Sequence, residues 1–400
     1  MKTLWERDET MILKICGSEW DNASRDKREL SACRELGQQV MVLAKGKPED
    51  RGRVDEVDGF EVRRYTTRPL GNRFPSAINQ AVSLFCWASY TRRELKPQII
   101  SGHDLIGLSI GWLSNIGRKD KAKLIYDSHE FELGRNADRN KLQVFLIKYL
   151  ERFLIKRCAF SIMVNDSIAD EVQKIHELKQ RPIVVRSTPE KWTVDPEETK
   201  KKRQELLDRF TDSRVEHIMM FHGNLGNGNG LEMTVPTLQK FKDIGIVLMG
   251  AQGSKELVRK IQEESKEAGV EGRLLIIPPV DITELWKYSG AADVEMMAIE
   301  PVSKSYYYSL PNKLFESIQS ETPVIASDLP EMKRIVEGYR IGLLCSPGDA
   351  DDFCACLERL LFDDEFYYSC KKNMIPAKNA LCWEKEKLVL QKSYLNLLEK

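Results

Sequence analysis

The sequence predicts an α/β protein made of two doubly wound, parallel-sheet domains in tandem. Three observations carry this. The chain has 400 residues, more than one hydrophobic core usually supports, which points to two domains of about 150–200 residues each. A grammar of short apolar run, turn, helix-like stretch, glycine and next apolar run recurs along the chain, and it is the βαβ pattern of a parallel sheet. Between two such stretches the grammar breaks, over a polar segment that contains Pro189 and Pro196.

Taken in order, residues 11–16 are an apolar run closed by Gly17. Residues 24–36 are a polar helix-like stretch ended by Gly37, and 40–44 form the next run. The pattern continues with a strand at 98–101, a helix at 105–115, a strand at 124–126, a long helix ending at 157, and strands at 161–164 and 183–185. These make a first domain of residues 1–186. Residues 187–213, with a helix-like run at 197–209, read as the interdomain connection. The grammar restarts at 217–221 and goes on through strands at 246–249, 273–277, 294–297 and 324–326, giving a second domain at 214–378. An amphipathic helix at 383–398 lies in a closing segment, 379–400, that is expected to pack back toward the first domain. Ligands of doubly wound domains bind outside the carboxyl ends of the strands, so the expected site is a cleft faced by both domains.

Composition narrows the function. Lys+Arg and Asp+Glu number 61 each, for zero net charge, which argues against a dedicated nucleic-acid binder with its strongly basic domain. The zero hides a division. Residues 1–190 carry 33 basic and 27 acidic side chains and residues 191–400 carry 28 and 34, so the halves are +6 and −6. A hydrophobic content of 42% rules out bulk disorder. No stretch approaches the roughly 20 apolar residues of a membrane helix. The opening segment, with Lys2, Glu6, Arg7, Asp8 and Glu9, lacks the apolar core of a secretory signal. Nine scattered cysteines without a Cys-x-x-Cys pair read as thiols in a reducing cytoplasm, not as a disulfide framework or zinc site. The expected location is cytoplasmic, with a peripheral place on the inner face of the membrane left open.

Two segments carry candidate chemistry. After the strand at 217–221, glycines stand at 223, 226, 228 and 230, ahead of a helix expected near Leu231. Glycine lets backbone amides approach a phosphate, and a helix start adds partial positive charge. The order is not the G-x-G-x-x-G of a dinucleotide site, and a plain strand-to-helix turn is the alternative. Further on stands Leu310-Pro311-Asn312-Lys313-Leu314-Phe315-Glu316. Pro311 suits the first helical position. The amides of that helix start, with Lys313, could hold a diphosphate, and the Glu316 carboxylate, one turn in, could accept bonds from both hydroxyls of a ribose. The alternative for Glu316 is a solvated helix residue.

The 310–316 motif, followed by Pro323-Val324-Ile325-Ala326-Ser327-Asp328-Leu329-Pro330-Glu331, resembles the donor-nucleotide motif of retaining GT-B glycosyltransferases, above all family 4. Asp127-Ser128-His129-Glu130 resembles that family's D-x-H-E motif, residues 221–232 its glycine loop, and Trp383-Glu384 the start of its last helix. The resemblance covers nearly the whole chain. It implies the GT-B fold, with two Rossmann-like domains, and transfer of a sugar from a UDP- or GDP-linked donor, with retention and without a metal, to a glycan or lipid-linked saccharide acceptor in cell-surface polysaccharide synthesis. A sugar-nucleotide epimerase or hydrolase of the same fold, or a non-catalytic scaffold, is the alternative. Carried over, Glu316 binds the ribose, and Lys313 with Gly223, Asn224 and Asn229 faces the phosphates. Ser309 and Leu310 offer backbone amides to phosphate or sugar. Pro279 lies where the base rests on main chain, and Gly17 lies near the diphosphate. His129, near the reacting carbon, and Glu130 are the candidate catalytic residues. Tyr308 stands where the family has its first Glu, and Asn229 where it has a basic residue.

The remaining candidates stay open at this level. His103 and Asp104 follow a strand and serve either the acceptor or a local turn; His222 is undecided, and His217 reads as structural. Asp349-Ala350-Asp351 reads as a helix cap and first turn, not a metal-ligand set. In residues 139–157, Lys141, Lys148, Arg152 and Lys156 fall on one helical stripe amid Leu, Ile and Phe. This is either a basic amphipathic helix that meets an anionic membrane surface or a core helix with a solvated basic face. Residues 79–93 could extend the same surface.

Overall fold

Short apolar runs, most of them followed by a helix, can bury both faces of a strand only in a parallel sheet covered on both sides. The computed structural model is of that kind, and it describes residues 10–399 apart from 21–22, 48–49, 51, 67–69, 72–73 and 136–138. The charged opening segment, on which the reading of no signal core rests, lies outside the described residues. The described residues up to Arg186, joined by those from Lys387 onward, form one compact unit, and Ser187–Glu386 form the other.

The first unit holds β1 (Met11–Cys16), β2 (Gln39–Gly46), β3 (Val54–Val57), β4 (Phe60–Thr66), β5 (Ile99–His103), β6 (Lys123–Ser128), β7 (Phe160–Met163) and β8 (Ile183–Val184). Their order across the sheet is β3-β4-β2-β1-β5-β6-β7-β8. Among the described residues only the β3–β4 pair is antiparallel. The second unit holds β9 (His217–His222), β10 (Ile244–Met249), β11 (Leu274–Ile277), β12 (Val294–Met297), β13 (Val324–Ser327) and β14 (Gly342–Cys345), all parallel, in the order β11-β10-β9-β12-β13-β14. In each sheet the order reverses at the first strand, β1 beside β5 and β9 beside β12. That switch point is where a doubly wound sheet opens a crevice at its strand ends.

Three strands escape the sequence reading. β3 and β4 form an edge hairpin whose alternation is masked by Asp55, Glu56, Arg63 and Arg64. The signal was present in Asp58-Gly59, where φ is 51° and 74°, as the tight hairpin turn requires. β14 is a run of only four residues. Two local expectations are also corrected. Leu231–Met233 is a single 3₁₀ turn, and the α-helix begins at Thr234. Pro311 caps its helix from outside, extended at φ −72° and ψ 144°, and Asn312 is the first helical residue.

Local chemistry sets several boundaries. Asn140 accepts from the Gln143 amide while the Gln143 side chain accepts from the Asn140 amide, a reciprocal cap that starts the helix Lys141–Ile155. Asp349 accepts from the amides of Asp351 and Asp352, so it caps Ala350–Phe362 as expected. Gly230 has φ 72°, and a Cβ there would lie 2.0 Å from the Ala298 carbonyl oxygen; only glycine lets the loop after β9 run so close to β12. The helix Trp383–Leu398 starts in the second unit and its residues from Lys387 on belong to the first, where Gln391 Nε2 donates to the Ala32 carbonyl at 3.1 Å and Lys123 Nζ to that of Leu397 at 2.8 Å. All nine cysteines are unpaired; six are buried and Cys86 alone is exposed. Among the described residues no helix is long and apolar enough to cross a membrane.

Candidate functional site

In the second unit, the end of β9, the glycine loop, β12 and the helix Asn312–Gln319 converge on one cluster. β9 ends at His222, which is buried. Its Nδ1 lies 3.2 Å from both carboxylate oxygens of Glu295, fully buried on β12, and its Nε2 lies 2.9 Å from Glu316 Oε2. Burial opposes charge on this imidazole, but the Glu295 and Glu316 carboxylates outweigh it and raise its pKa to about 10. His222 is therefore an imidazolium clamped between two carboxylates at neutral pH. Undecided in the sequence, it is what holds Glu316 in place.

Lys313, on the same helix start as Glu316, sends Nζ to Asn229 Oδ1 at 3.1 Å and lies 3.9 Å over the Phe221 ring. Burial lowers it to about 7, with Glu295 and Glu316 offsetting only part of the effect. The Asn229 amide group donates to the carbonyls of Asn224 and Gly226 at 3.1 and 3.3 Å, which folds the loop over on itself. Gly223, Asn224, Asn229, Lys313 and Glu316 are thus brought together. Of the expected backbone donors, Ser309 is corrected: its N–H already donates to the Tyr306 carbonyl at 3.0 Å, because a short turn closes there. Its buried hydroxyl is the atom without a partner. The Leu310 amide has no protein acceptor among the described residues. Tyr308 lies half-buried with its ring 5.2 Å from that of Tyr307, and Pro279 is exposed just beyond β11.

The first unit gathers its candidates at the β1/β5 switch point. The rings of His103 and His129 stand 3.8 Å apart. His129 Nε2 lies 3.2 Å from Asp127 Oδ2, and its backbone N–H donates to Asp104 Oδ1 at 3.1 Å. His103 Nδ1 lies 2.9 Å from Asp26 Oδ2. The sequence reading left His103 and Asp104 open between the acceptor and a local turn and placed His129 at the donor sugar; here all three form one cluster. Asp104 holds this place at φ 54°, an uncommon conformation for a residue other than glycine. Glu130 is half-exposed and pairs with Arg135 at 3.0 Å. Gly17, His103 and Asp104 line a cavity of about 580 Å³ with Leu84, Ile106 and Leu150.

Beneath the histidines is a buried ion network that the sequence reading missed. Lys14, 1% exposed in the middle of β1, lies 2.8 Å from Asp26 and 3.0 Å from Glu29 and also bonds Asp127. Arg25 pairs with Glu29 at 2.9 Å and with Asp127 at 3.3 Å. Burial alone would raise Asp26 and Asp127, but Lys14 and the neighbouring cations hold both well below the usual carboxylate range. Burial and the Asp127 charge raise Glu29 instead. Burial works against charge on His103, and Asp26 reverses it, so that His103 is raised. Asp26, Glu29, Asp127 and His129 are close enough together to offer four ligand atoms to an ion, yet the Lys14 ammonium already occupies their midst, so the cation of this cluster is a side chain. The signal lay in a lysine inside an apolar strand and in Arg25, Asp26 and Glu29 on one face of a helix taken as polar.

Residues 216–363 match the family model described as Glycosyl transferases group 1. A curated relative, the alpha-D-kanosaminyltransferase of Streptomyces kanamyceticus, is 20% identical over 236 residues, 58% of this chain and 58% of its own length. The sucrose-phosphate synthase of Thermosynechococcus elongatus superposes with a TM-score of 0.75 at 17% identity, over 98% of this chain and 100% of that one. HepE of Anabaena in complex with UDP-glucose superposes with a TM-score of 0.73 at 13% identity, over 98% and 100%. The fold is thus the two-domain GT-B fold, and the second unit carries the part that matches the transferase family.

Two outcomes follow from the buried charges. Lys14→Met leaves three carboxylates without their shared cation and should cost about 3–5 kcal/mol at neutral pH. Without Lys14, Asp26 and Asp127 rise above their unfolded values, so the deficit shrinks on acidification; urea midpoints at pH 7 and pH 5 measure this, and a deficit equal at both would contradict the assignment. In NMR, the His222 imidazole should stay protonated from pH 6 to 9 given its value of about 10, and Glu295→Gln should bring its titration into that window.

Proposed function

We propose that the protein is a glycosyltransferase of the family 4 type. It transfers a sugar with retention, and without a metal, from a UDP- or GDP-linked donor to a glycan or lipid-linked saccharide, in cell-surface polysaccharide synthesis. The observation that carries this reading is the meeting of Lys313, Asn229 and Glu316 at one helix start, with Lys313 Nζ 3.1 Å from Asn229 and Glu316 held 2.9 Å from His222. Structures of the same fold that hold UDP or UDP-glucose support a nucleotide-sugar donor.

The chemistry follows from these groups. As the bond from the anomeric carbon to the diphosphate breaks, negative charge grows on the leaving oxygen. Lys313 and the unpaired amides of the Asn312–Gln319 helix start stabilise it, which is the task a divalent cation performs in other transferases. Glu316 Oε2 is committed to His222, which leaves Oε1 to accept from the ribose hydroxyls. The departing phosphate takes the proton of the acceptor hydroxyl, whose oxygen bonds the anomeric carbon on the face the diphosphate leaves, so the configuration is retained. His129 and His103, side by side at the first-unit switch point, are the candidates for contact with the sugar and the acceptor. Asn229 takes the place of the family's basic residue by anchoring Lys313, and Tyr308 leaves the sugar without the usual first carboxylate.

A thermal-shift screen over UDP, GDP, ADP and their sugars identifies the donor; a ligand at 100 times its Kd adds about 2.7 kcal/mol. Glu316→Ala should nearly abolish donor turnover, and excess EDTA should leave wild-type turnover unchanged. Turnover that survives Glu316→Ala, or vanishes with EDTA, contradicts the reading. A second outcome concerns protons. Lys313 is held near 7 in the free protein, and a bound diphosphate raises it. Binding above pH 7 therefore takes up a proton, and affinity falls by up to about tenfold per pH unit. Calorimetry in buffers of different ionisation enthalpy measures the uptake, which Lys313→Met should remove.

A further inference from the structure

A surface helix normally turns its apolar stripe to the core, and the helix Lys141–Ile155 does the reverse. Leu142, Phe145, Leu146, Tyr149, Leu150 and Phe153 recur at helical spacing and are 39–65% exposed. The inward face is Glu151, Leu154 and Ile155. Glu151 accepts from the Tyr126 hydroxyl at 2.9 Å and sits 3.0 Å from His176 Nε2, so the one acid of the helix is withdrawn from the surface. The charges left outside are basic. Lys141, Lys156 and Arg157 are exposed, and the Arg157 guanidinium lies 3.5 Å over the Phe153 ring, its charge beside the apolar stripe. The basic stripe expected from the sequence is corrected in part: Lys148 and Arg152 are half-buried and Arg152 is engaged by Glu177, so the face that meets the surroundings is the apolar one. Leu150 belongs both to this face and to the lining of the 580 Å³ cavity that holds His103 and Asp104.

We propose that this face lies in the interfacial layer of an anionic bilayer, with the cavity opening at its edge. The inference goes beyond the transferase reading above by giving the surface on which the protein works, and rests on that reading only for what enters the cavity. An apolar face bracketed by Lys and Arg is the pattern that binds such a layer, its ring and leucine side chains reaching the acyl boundary while the cations meet the headgroups. A second copy fits less well. A two-fold axis across the helix would set Lys141 of one copy against Lys156 and Arg157 of the other, and an axis along it would set each of them against its own counterpart, cation on cation in both cases.

The test uses the full chain with vesicles of phosphatidylcholine alone and of phosphatidylcholine with phosphatidylglycerol, read by co-sedimentation, beside light scattering without lipid and the UDP thermal shift. The expected result is binding to the anionic vesicles, lost by tenfold or more in Phe145→Glu with Leu146→Glu. Each of Lys141→Glu and Lys156→Glu should weaken it about fivefold or more, the equivalent of about 1 kcal/mol per cation near the surface. The UDP shift should be unchanged throughout. Wild-type protein that stays with the supernatant, stripe variants that bind like wild type, or a dimer dissolved by Leu146→Glu would each overturn the proposal. Loss of the UDP shift in wild type, with vesicle binding intact, would sink the donor reading and leave this one standing.

Discussion

Each sheet places a cation on its first strand and surrounds it with carboxylates, and much else follows from the need to balance that charge out of water. In the first unit the cation is Lys14, matched by Asp26, Glu29 and Asp127; in the second it is His222, matched by Glu295 and Glu316. A buried charge without a partner costs several kcal/mol, so neither cluster can lose a member without the others moving. The partners come from different elements: the helix Ser24–Glu35 and β6 in one case, β12 and the helix Asn312–Gln319 in the other. Electrostatic balance thus ties together the segments that flank each switch point.

The same balance prepares the groups that meet a ligand. Glu316 is fixed by an imidazolium that stays charged across the physiological range. Lys313 is kept near neutrality by burial and given a neutral acceptor in Asn229. A carboxylate is presented fully charged while an ammonium is held ready to gain its charge when phosphate arrives. In the first unit, Asp26 and Asp127 orient His103 and His129 side by side. The histidines are therefore the partly buried upper edge of an ionic base and not independent side chains on loops.

The architecture was legible because strand, helix and glycine alternate repeatedly in both halves, and the parallel order follows from crossover connections. The 310–316 segment was legible because a proline, a lysine and a glutamate at a helix start have few joint uses. What was hidden is instructive. The β3–β4 hairpin hid behind charges because an edge strand needs only one apolar face. Lys14 hid because a single charged letter inside an apolar run is discounted, and Glu295 because β12 reads as plain strand. A buried ion pair is a property of two segments at once: Lys14 and Asp127 are 113 residues apart, and neither is unusual where it stands. The helix at 141–155 was read as amphipathic, but which face looks outward is set by Tyr126 and His176 claiming Glu151, contacts that no local pattern announces.

Of nine cysteines, only Cys86 is exposed, one residue beyond Phe85 on the helix Ser76–Tyr90. The others are at least half-buried, and burial pushes most of their thiols up, away from the thiolate that reacts with maleimides. The native chain is thereby equipped for selective attachment of one fluorophore or spin label, with no cysteine replaced. Cys86 lines a second cavity, of about 390 Å³, with Arg63, Trp87 and Tyr90, on the face of its helix turned away from Leu84 and the His103 cavity, so a dye at that sulfur would report on ligands without standing among the groups that bind them.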